Sequence, residues 1–153
     1  MITALSASGL ASDRFVFEGF LPAKSAARCQ RLQSLVDDPR TLIFYESTHR
    51  IQASLADMAE VFGPERQAVI ARELSKRFET IHGDSLSALQ AWLEADTNQC
   101  RGEFVVLLQG ATAVEGETVD AEAKKVLTIL MQELPLKQAA ALAAKISGSI
   151  SAL

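Results

Sequence analysis

Residues 40–50, RTLIFYESTHR, constrain the fold more than any other stretch of this chain. Thr41, Leu42, Ile43, Phe44 and Tyr45 are all β-branched, apolar or aromatic, the signature of a buried strand. Glu46, Ser47, His49 and Arg50 follow at once, so the strand predicted at 41–45 hands polar side chains directly to the next element. In open α/β sheets ligands bind beyond the carboxyl ends of the strands, which makes this junction the first place to look for chemistry.

The same grammar recurs along the chain. Residues 14–20, RFVFEGF, predict a strand at 14–18 with Gly19 and Pro22 turning the chain. Periodicity predicts a helix over Lys24–Leu35 with Leu32, Leu35 and Val36 toward the core, broken by Asp37, Asp38 and Pro39. Ser47 is placed to cap the following helix, whose apolar stripe is Ile51, Leu55, Met58, Ala59 and Phe62, and Gly63 with Pro64 stops it. Residues 67–72, QAVIAR, form a second buried strand that again ends in charge, with Arg72, Glu73, Lys76, Arg77 and Glu79 crowded together. A short strand over Phe78–His82, a helix marked by Leu86, Leu89 and Trp92, and the apolar strand at 102–110 complete an α/β domain over 14–110, its sheet covered on both faces.

Before it, residues 1–13 read as the end of a small-residue helix closed by Gly9. After it, 111–118 reads as a linker and 119–153 as a helical hairpin, with helices over Val119–Met131 and Pro135–Ser147 and Gly148 past the end.

A net charge of −4 disfavours polyanion binding by the surface as a whole. The charge is uneven: Arg14–Arg50 holds six Lys/Arg against four Asp/Glu, and Ile51–Thr118 five against eleven. Lys24, Arg28 and Arg31 share one helical face, which reads either as a solvated stripe or as a phosphate-contacting one. His49 and Arg50 fall in the first turn of the helix expected after Ser47, where the helix dipole disfavours cations unless an anion sits nearby; a phosphate or carboxylate would explain them, and a plain surface role is the alternative for His49. Trp92 and the phenylalanines read as core rather than as base-stacking platforms. Cys29 and Cys100 have no companion at a metal-ligand spacing, so neither zinc nor a disulfide is expected. With no signal-type segment and no run near the roughly 18 apolar residues of a membrane span, the expected compartment is the reducing cytoplasm, with no membrane partner.

Five segments, 17–24 (FEGFLPAK), 41–50 (TLIFYESTHR), 71–80 (ARELSKRFET), 102–110 (GEFVVLLQG) and 133–139 (ELPLKQA), resemble in order and spacing the ribosomal RNA small-subunit methyltransferase I family, of the tetrapyrrole-methylase (class III) group of S-adenosylmethionine enzymes. The resemblance covers essentially all of this chain but only about the C-terminal half of a family member, and residue 2 falls within the helix that joins the two domains of that fold. The tail, GSISAL at 148–153, lacks the basic continuation usual in relatives. The resemblance implies a mixed sheet flanked by helices, the second domain of a class III methyltransferase, with a small C-terminal helical module and a homodimeric assembly. It implies S-adenosylmethionine as cofactor, no metal, and a cytidine 2′-hydroxyl of small-subunit ribosomal RNA as methyl acceptor.

Carried onto these residues, Phe44, Tyr45, Glu46 and Ser47 would grip the methionine and ribose portions of the cofactor. Ala71, Arg72 and Glu73, with Phe78–Thr80, would wall the adenine, and Lys24, Arg28, Arg31, His49 and Arg50 would meet RNA. Lys76, its pKa lowered by Arg72 and Arg77, and Glu46 are the candidate proton acceptors; an ion-pair lattice of Arg72, Glu73, Lys76 and Glu79 is the bland alternative, and a dedicated base is not required if positioning dominates. Half a cofactor cleft implies an inactive piece. Two rivals stand beside this reading: a non-catalytic RNA-binding or dimerisation module, and a small-molecule methylase of the tetrapyrrole type, against which the charged ESTHR run argues.

Overall fold

The computed structural model describes residues 1–112 and 117–146. They form α1 (Ile2–Ser8), β1 (Phe15–Phe20), α2 (Ser25–Gln33), β2 (Thr41–Ser47), α3 (Ile51–Phe62), β3 (Gln67–Arg72), β4 (Thr80–Ser85), α4 (Leu86–Ala95), a 3₁₀ turn at Thr97–Cys100, β5 (Glu103–Leu108), α5 (Glu117–Leu130) and α6 (Leu136–Ile146). The chain divides into two compact units, Met1–Ala111 and Thr112–Leu153.

In the first unit the five strands form one sheet of order β1-β2-β5-β3-β4. β1 and β2 run parallel across the α2 crossover, and the other three neighbouring pairs are antiparallel, so the sheet is mixed as expected. The period-2 alternation of the strands sorts their side chains into two cores. Phe44, Ile70, Phe104, Val106 and Leu108 pack under α2, α3 and α4 with Leu32, Leu55, Met58, Leu86, Leu89 and Leu93. Ile43, Val69, Ala71, Val105 and Leu107 pack on the opposite face against Ala4 and Leu5 of α1.

The second layer is thinner than the sequence suggests. α1 is seven residues long and packs on β3, β4 and β5. On that same face, by register with Thr41, Ile43 and Tyr45, lie Phe15, Phe17 and Phe20 of β1, which stay 37%, 44% and 64% exposed. The phenylalanines of β1 are therefore not core, a correction whose cause is the absence of a covering helix over β1 among the described residues.

Two boundaries also move. Ser47 does not cap α3: it stays in the β2 ladder opposite Glu103, and α3 begins at Ile51 after Arg50, whose carbonyl accepts from the Ser54 amide. β4 starts at Thr80 rather than Phe78, because residues 73–79 form a loop in which Glu73 and Ser75 adopt φ of 52° and 65°. Ser85 does cap α4, accepting from the Ala88 amide at 3.2 Å.

In the second unit α5 and α6, joined at 131–135, pack against each other, with Ala139 and Ala143 buried. Pro135 precedes α6 and its carbonyl accepts from Gln138 and Ala139. Gly148 and the helix end expected at Ser147 lie outside the described residues.

Candidate functional site at the strand ends

The register brings one end of every strand to the same edge of the first unit. Ser47 at the carboxyl end of β2 faces Glu103 at the start of the antiparallel β5, and Arg72 at the end of β3 faces Phe104 on one side and Thr80 of β4 on the other. Phe20 ends β1 beside Tyr45. Two cavities open along this edge. The first, about 590 Å³, is lined by Phe20, Tyr45, Glu46, Ser47, Thr48, His49, Leu74 and residues 102–105. The second, about 340 Å³, is lined by Arg72, Glu73, Phe78, Asn98, Arg101 and Gly102.

Gly102 belongs to both walls, and only glycine fits there. Its φ is 100°, and a Cβ would lie 2.3 Å from Glu73 Oε1. Glu73 approaches so closely because its Oε1 accepts from the Glu103 amide at 3.1 Å, while its own amide donates to the Glu103 carbonyl. Lys76 Nζ completes the cluster, 3.2 Å from Glu73 Oε1 and 2.6 Å from Glu103 Oε2.

This geometry reverses the direction expected for the Lys76 pKa. Hydrogen bonds to Glu103 and then Glu73 hold its ammonium and raise its pKa above the ordinary lysine value. Arg72 and Arg77 do not dominate its environment; two carboxylates do. Glu73 in turn is lowered, first by the Glu103 amide and then by Lys76.

Glu46, the other candidate acceptor, is 3% exposed and accepts hydrogen bonds at both oxygens. Oε1 accepts from the Ser47 amide at 2.8 Å, and Oε2 accepts from the Ser54 hydroxyl at 2.5 Å and from Arg50 Nη2 at 3.3 Å. Arg50 Nε stands 3.2 Å from Oε1 at ion-pair distance but outside hydrogen-bond geometry. Arg50 also donates to the Leu21 carbonyl at 2.6 Å. The anion expected near Arg50 is thus Glu46 of the same chain, which turns Arg50 inward; His49 lies in the turn before α3, not in its first turn, and lines the first cavity.

Alternation along β2 and β3 separates the remaining expected cofactor residues. Tyr45, Glu46 and Ser47 line the first cavity, whereas Phe44 is buried under the helices and Ala71 under α1. Arg72 and Glu73 line the second cavity, and Thr80 Oγ1 is 3.4 Å from Arg72 Nη2. Phe20, Thr48, Leu74, Phe104, Val105, Asn98 and Arg101 escaped sequence reasoning, because it takes the β1–β2 pairing and the antiparallel insertion of β5 between β2 and β3 to gather them at one edge.

The basic stripe on α2 dissolves. Arg28 is 3% exposed; its Nε lies 2.6 Å from Asp57 Oδ2 on α3 and its Nη1 donates to the carbonyls of Pro22 and Ala23. It is a clamp between two helices and cannot reach RNA. Arg31 is half-exposed but pairs with Glu18 at 2.6 Å, and Lys24 is exposed. Cys29, Asp57 and Glu60 lie within 4.8 Å of one another, but Asp57 is already occupied by Arg28 and Ser25.

Comparison with known proteins now bears on this site. Residues 117–149 match the family described as the RsmI C-terminal HTH domain. Across 149 residues the chain is 62% identical to ribosomal RNA small subunit methyltransferase I of Pseudomonas aeruginosa, covering 97% of this chain and 53% of that protein. Over nearly its whole length the chain is similar to members of the ribosomal RNA small subunit methyltransferase I family. The family protein of Pasteurella multocida is 53% identical over 147 residues, covering 96% of this chain and 52% of its own length. The chain spans about half the length of the curated relatives of this family that it matches. Two solved structures share the fold: the methyltransferase CobJ, with a TM-score of 0.52 at 20% identity over 72% of this chain and 47% of that one, and the cobalt precorrin-4 methyltransferase CbiF, with 0.53 at 13% identity over 71% and 47%. Among the described residues no helix is long and apolar enough to cross a membrane.

Proposed function

We propose that the first cavity is one wall of the methyl-donor cleft of an S-adenosylmethionine-dependent methyltransferase, whose acceptor is the 2′-hydroxyl of a cytidine in small-subunit ribosomal RNA. The observation that carries this reading is the 62% identity to a relative bearing that enzyme name, extending through every strand end that builds the cavity. The chain supplies about half of such a relative, so the 153 residues by themselves are proposed to transfer no methyl group. A cytoplasmic location and assembly as a homodimer belong to the same reading; the apolar rings of Phe15 and Phe17, the latter edge-on to Tyr45, offer a partner a surface.

The residues present suit the cofactor. At about 590 Å³ the cavity falls within the range of roughly 300–1,000 Å³ common for small-molecule sites. Its walls pair the apolar surfaces of Phe20, Leu74, Phe104 and Val105 with the polar groups of Ser47, Thr48 and His49, the mixture an adenosine and an amino-acid chain require. When bound, S-adenosylmethionine supplies an electrophilic methyl group on a sulfonium.

What this chain contributes is placement and exclusion of water. Thr48 Oγ1 donates to the Gly102 carbonyl at 2.6 Å and ties the rim after β2 to the rim before β5. Glu46, locked to Ser47, Ser54 and Arg50, holds the same rim from below. Lys76 is held as a cation by two carboxylates and Glu46 is bound to Ser47, Ser54 and Arg50, so this reading gives neither the part of a free base. The rate advantage is assigned to orientation of the ribose hydroxyl, a contribution that can reach several kcal/mol of barrier.

The test is to fill the cavity. In a full-length family protein carrying these 153 residues, Ser47→Phe is expected to raise the KM for S-adenosylmethionine about tenfold, a loss of roughly 1.4 kcal/mol of binding, with thermal stability nearly unchanged. An unaltered KM would place the donor elsewhere.

A further inference from the structure

The second cavity shares Gly102 with the first, and although the resemblance sets Arg72, Glu73 and Phe78 along the adenine, its lining is built to take an anion. Arg72 lines it and is 8% exposed, its guanidinium half-partnered. Nη1 donates to the carbonyls of Asn98 at 2.7 Å and Arg101 at 3.1 Å, which saturates it. Nη2 has only the Thr80 hydroxyl at 3.4 Å, and the buried Nε has no partner. Buried donors left unmade are costly, so a cation held this way without an acceptor on its Nε–Nη2 edge calls for one. That edge is the two-pronged fork with which arginine grips phosphate or carboxylate.

The neighbours decide between these anions. Phe78, on the same cavity, is 66% exposed, and the Arg77 guanidinium lies 5.6 Å from its ring centroid. Arg101 is exposed on the rim. Glu73, the acid in the wall, is neutralised by Lys76. An open aromatic face beside guanidinium groups is the chemistry that takes a nucleobase by stacking and its phosphate by charge, and it selects unpaired RNA, whose bases can be splayed out. The volume, about 340 Å³, suits one nucleotide. Gly102 in the shared wall sets this nucleotide next to the donor cavity.

We infer that this cavity binds one nucleotide of single-stranded RNA, with its phosphate on the Nε–Nη2 edge of Arg72 and on Arg101 and its base against Phe78. The inference rests on the proposed methyltransferase for the origin of the strand, but the site itself is argued from the cavity alone.

The experiment uses the 153-residue chain and a fluorescein-labelled, cytidine-rich RNA oligonucleotide, followed by anisotropy at low salt. Phe78→Ala and Arg101→Ala, both exposed and harmless to folding, are each expected to weaken binding about tenfold, whereas Arg40→Ala, at the opposite end of β2 and paired with Asp38, leaves it unchanged. In nitrogen NMR, cytidine monophosphate is expected to move the Arg72 Nε resonance, inorganic phosphate to move it less, and cytidine to leave it in place. Absent RNA binding, binding indifferent to Phe78 and Arg101, or an Arg72 resonance that answers to S-adenosylmethionine instead of the nucleotide would each overturn the inference. The two readings fail separately: RNA binding that depends on Phe78 in a protein whose full-length form transfers no methyl group would leave this site standing and remove the enzyme.

Discussion

Two carboxylates, Glu73 and Glu103, decide the protonation of Lys76, and that local fact reverses what neighbouring arginines in the sequence suggest. Arg72 and Arg77 are near Lys76 in the chain, but the β3–β5 pairing sets Glu103, 27 residues away, at 2.6 Å from its ammonium. The consequence for stability has a definite sign. Glu73 is lowered below its ordinary value of 4.5, so its contribution is present above that pH and is lost as pH falls through the lower folded value. Lys76 is raised above 10.5, so its contribution is complete below that pH and is lost as pH rises through the higher folded value. Glu73→Gln is therefore expected to flatten the acid limb of stability below about pH 4.5, and Lys76→Met the alkaline limb above about pH 10.5. Urea midpoints measured across pH check both; limbs unchanged in the variants would show the cluster to be inert.

At the scale of elements, the strands were legible and their surroundings were not. Leu42–Tyr45, Ala68–Ala71 and Phe104–Leu108 announce themselves through uninterrupted apolar side chains, and each lies in a strand. Ser47 misled because a serine before an apolar-periodic run looks like a cap, and only the Glu103 partner across the ladder keeps it extended. Arg28 misled for the same reason, since its partner Asp57 is 29 residues away on another helix. The two pairs on α2 make a clean comparison. Losing one partner of the buried Arg28–Asp57 pair strands a charge, so Asp57→Ala is expected to destabilise by about 3 kcal/mol. Glu18→Ala, which removes only the half-exposed Arg31 pair, is expected to change stability by about 0.5 kcal/mol or less. Denaturant unfolding of the two variants measures the difference directly; equal effects would show that the α2–α3 clamp contributes nothing.

For the molecule as a whole, the five motif segments foretold both the family and the mixed sheet, but not the way the sheet end is assembled. Inserting β5 antiparallel between β2 and β3 creates the paired cavities around Gly102, and the linear order of the chain carries no trace of it. The open α1 face, with Phe15, Phe17 and Phe20 exposed, was equally hidden, because alternation shows which side chains share a face and not whether another layer covers it. The stretch at 40–50 keeps its importance with its parts redistributed: Tyr45, Ser47 and His49 face a cavity, Phe44 is core, and Glu46 with Arg50 is the bracket beneath. The most direct test of the central claim is methyl incorporation from labelled S-adenosylmethionine into small-subunit ribosomal RNA, using the Pseudomonas aeruginosa relative with its matching half replaced by these 153 residues. The expected result is a methyl group on the 2′-oxygen of a cytidine, transferred by the chimera and not by the 153 residues alone; a folded chimera that leaves the RNA unmodified, beside an active parent, would contradict the account.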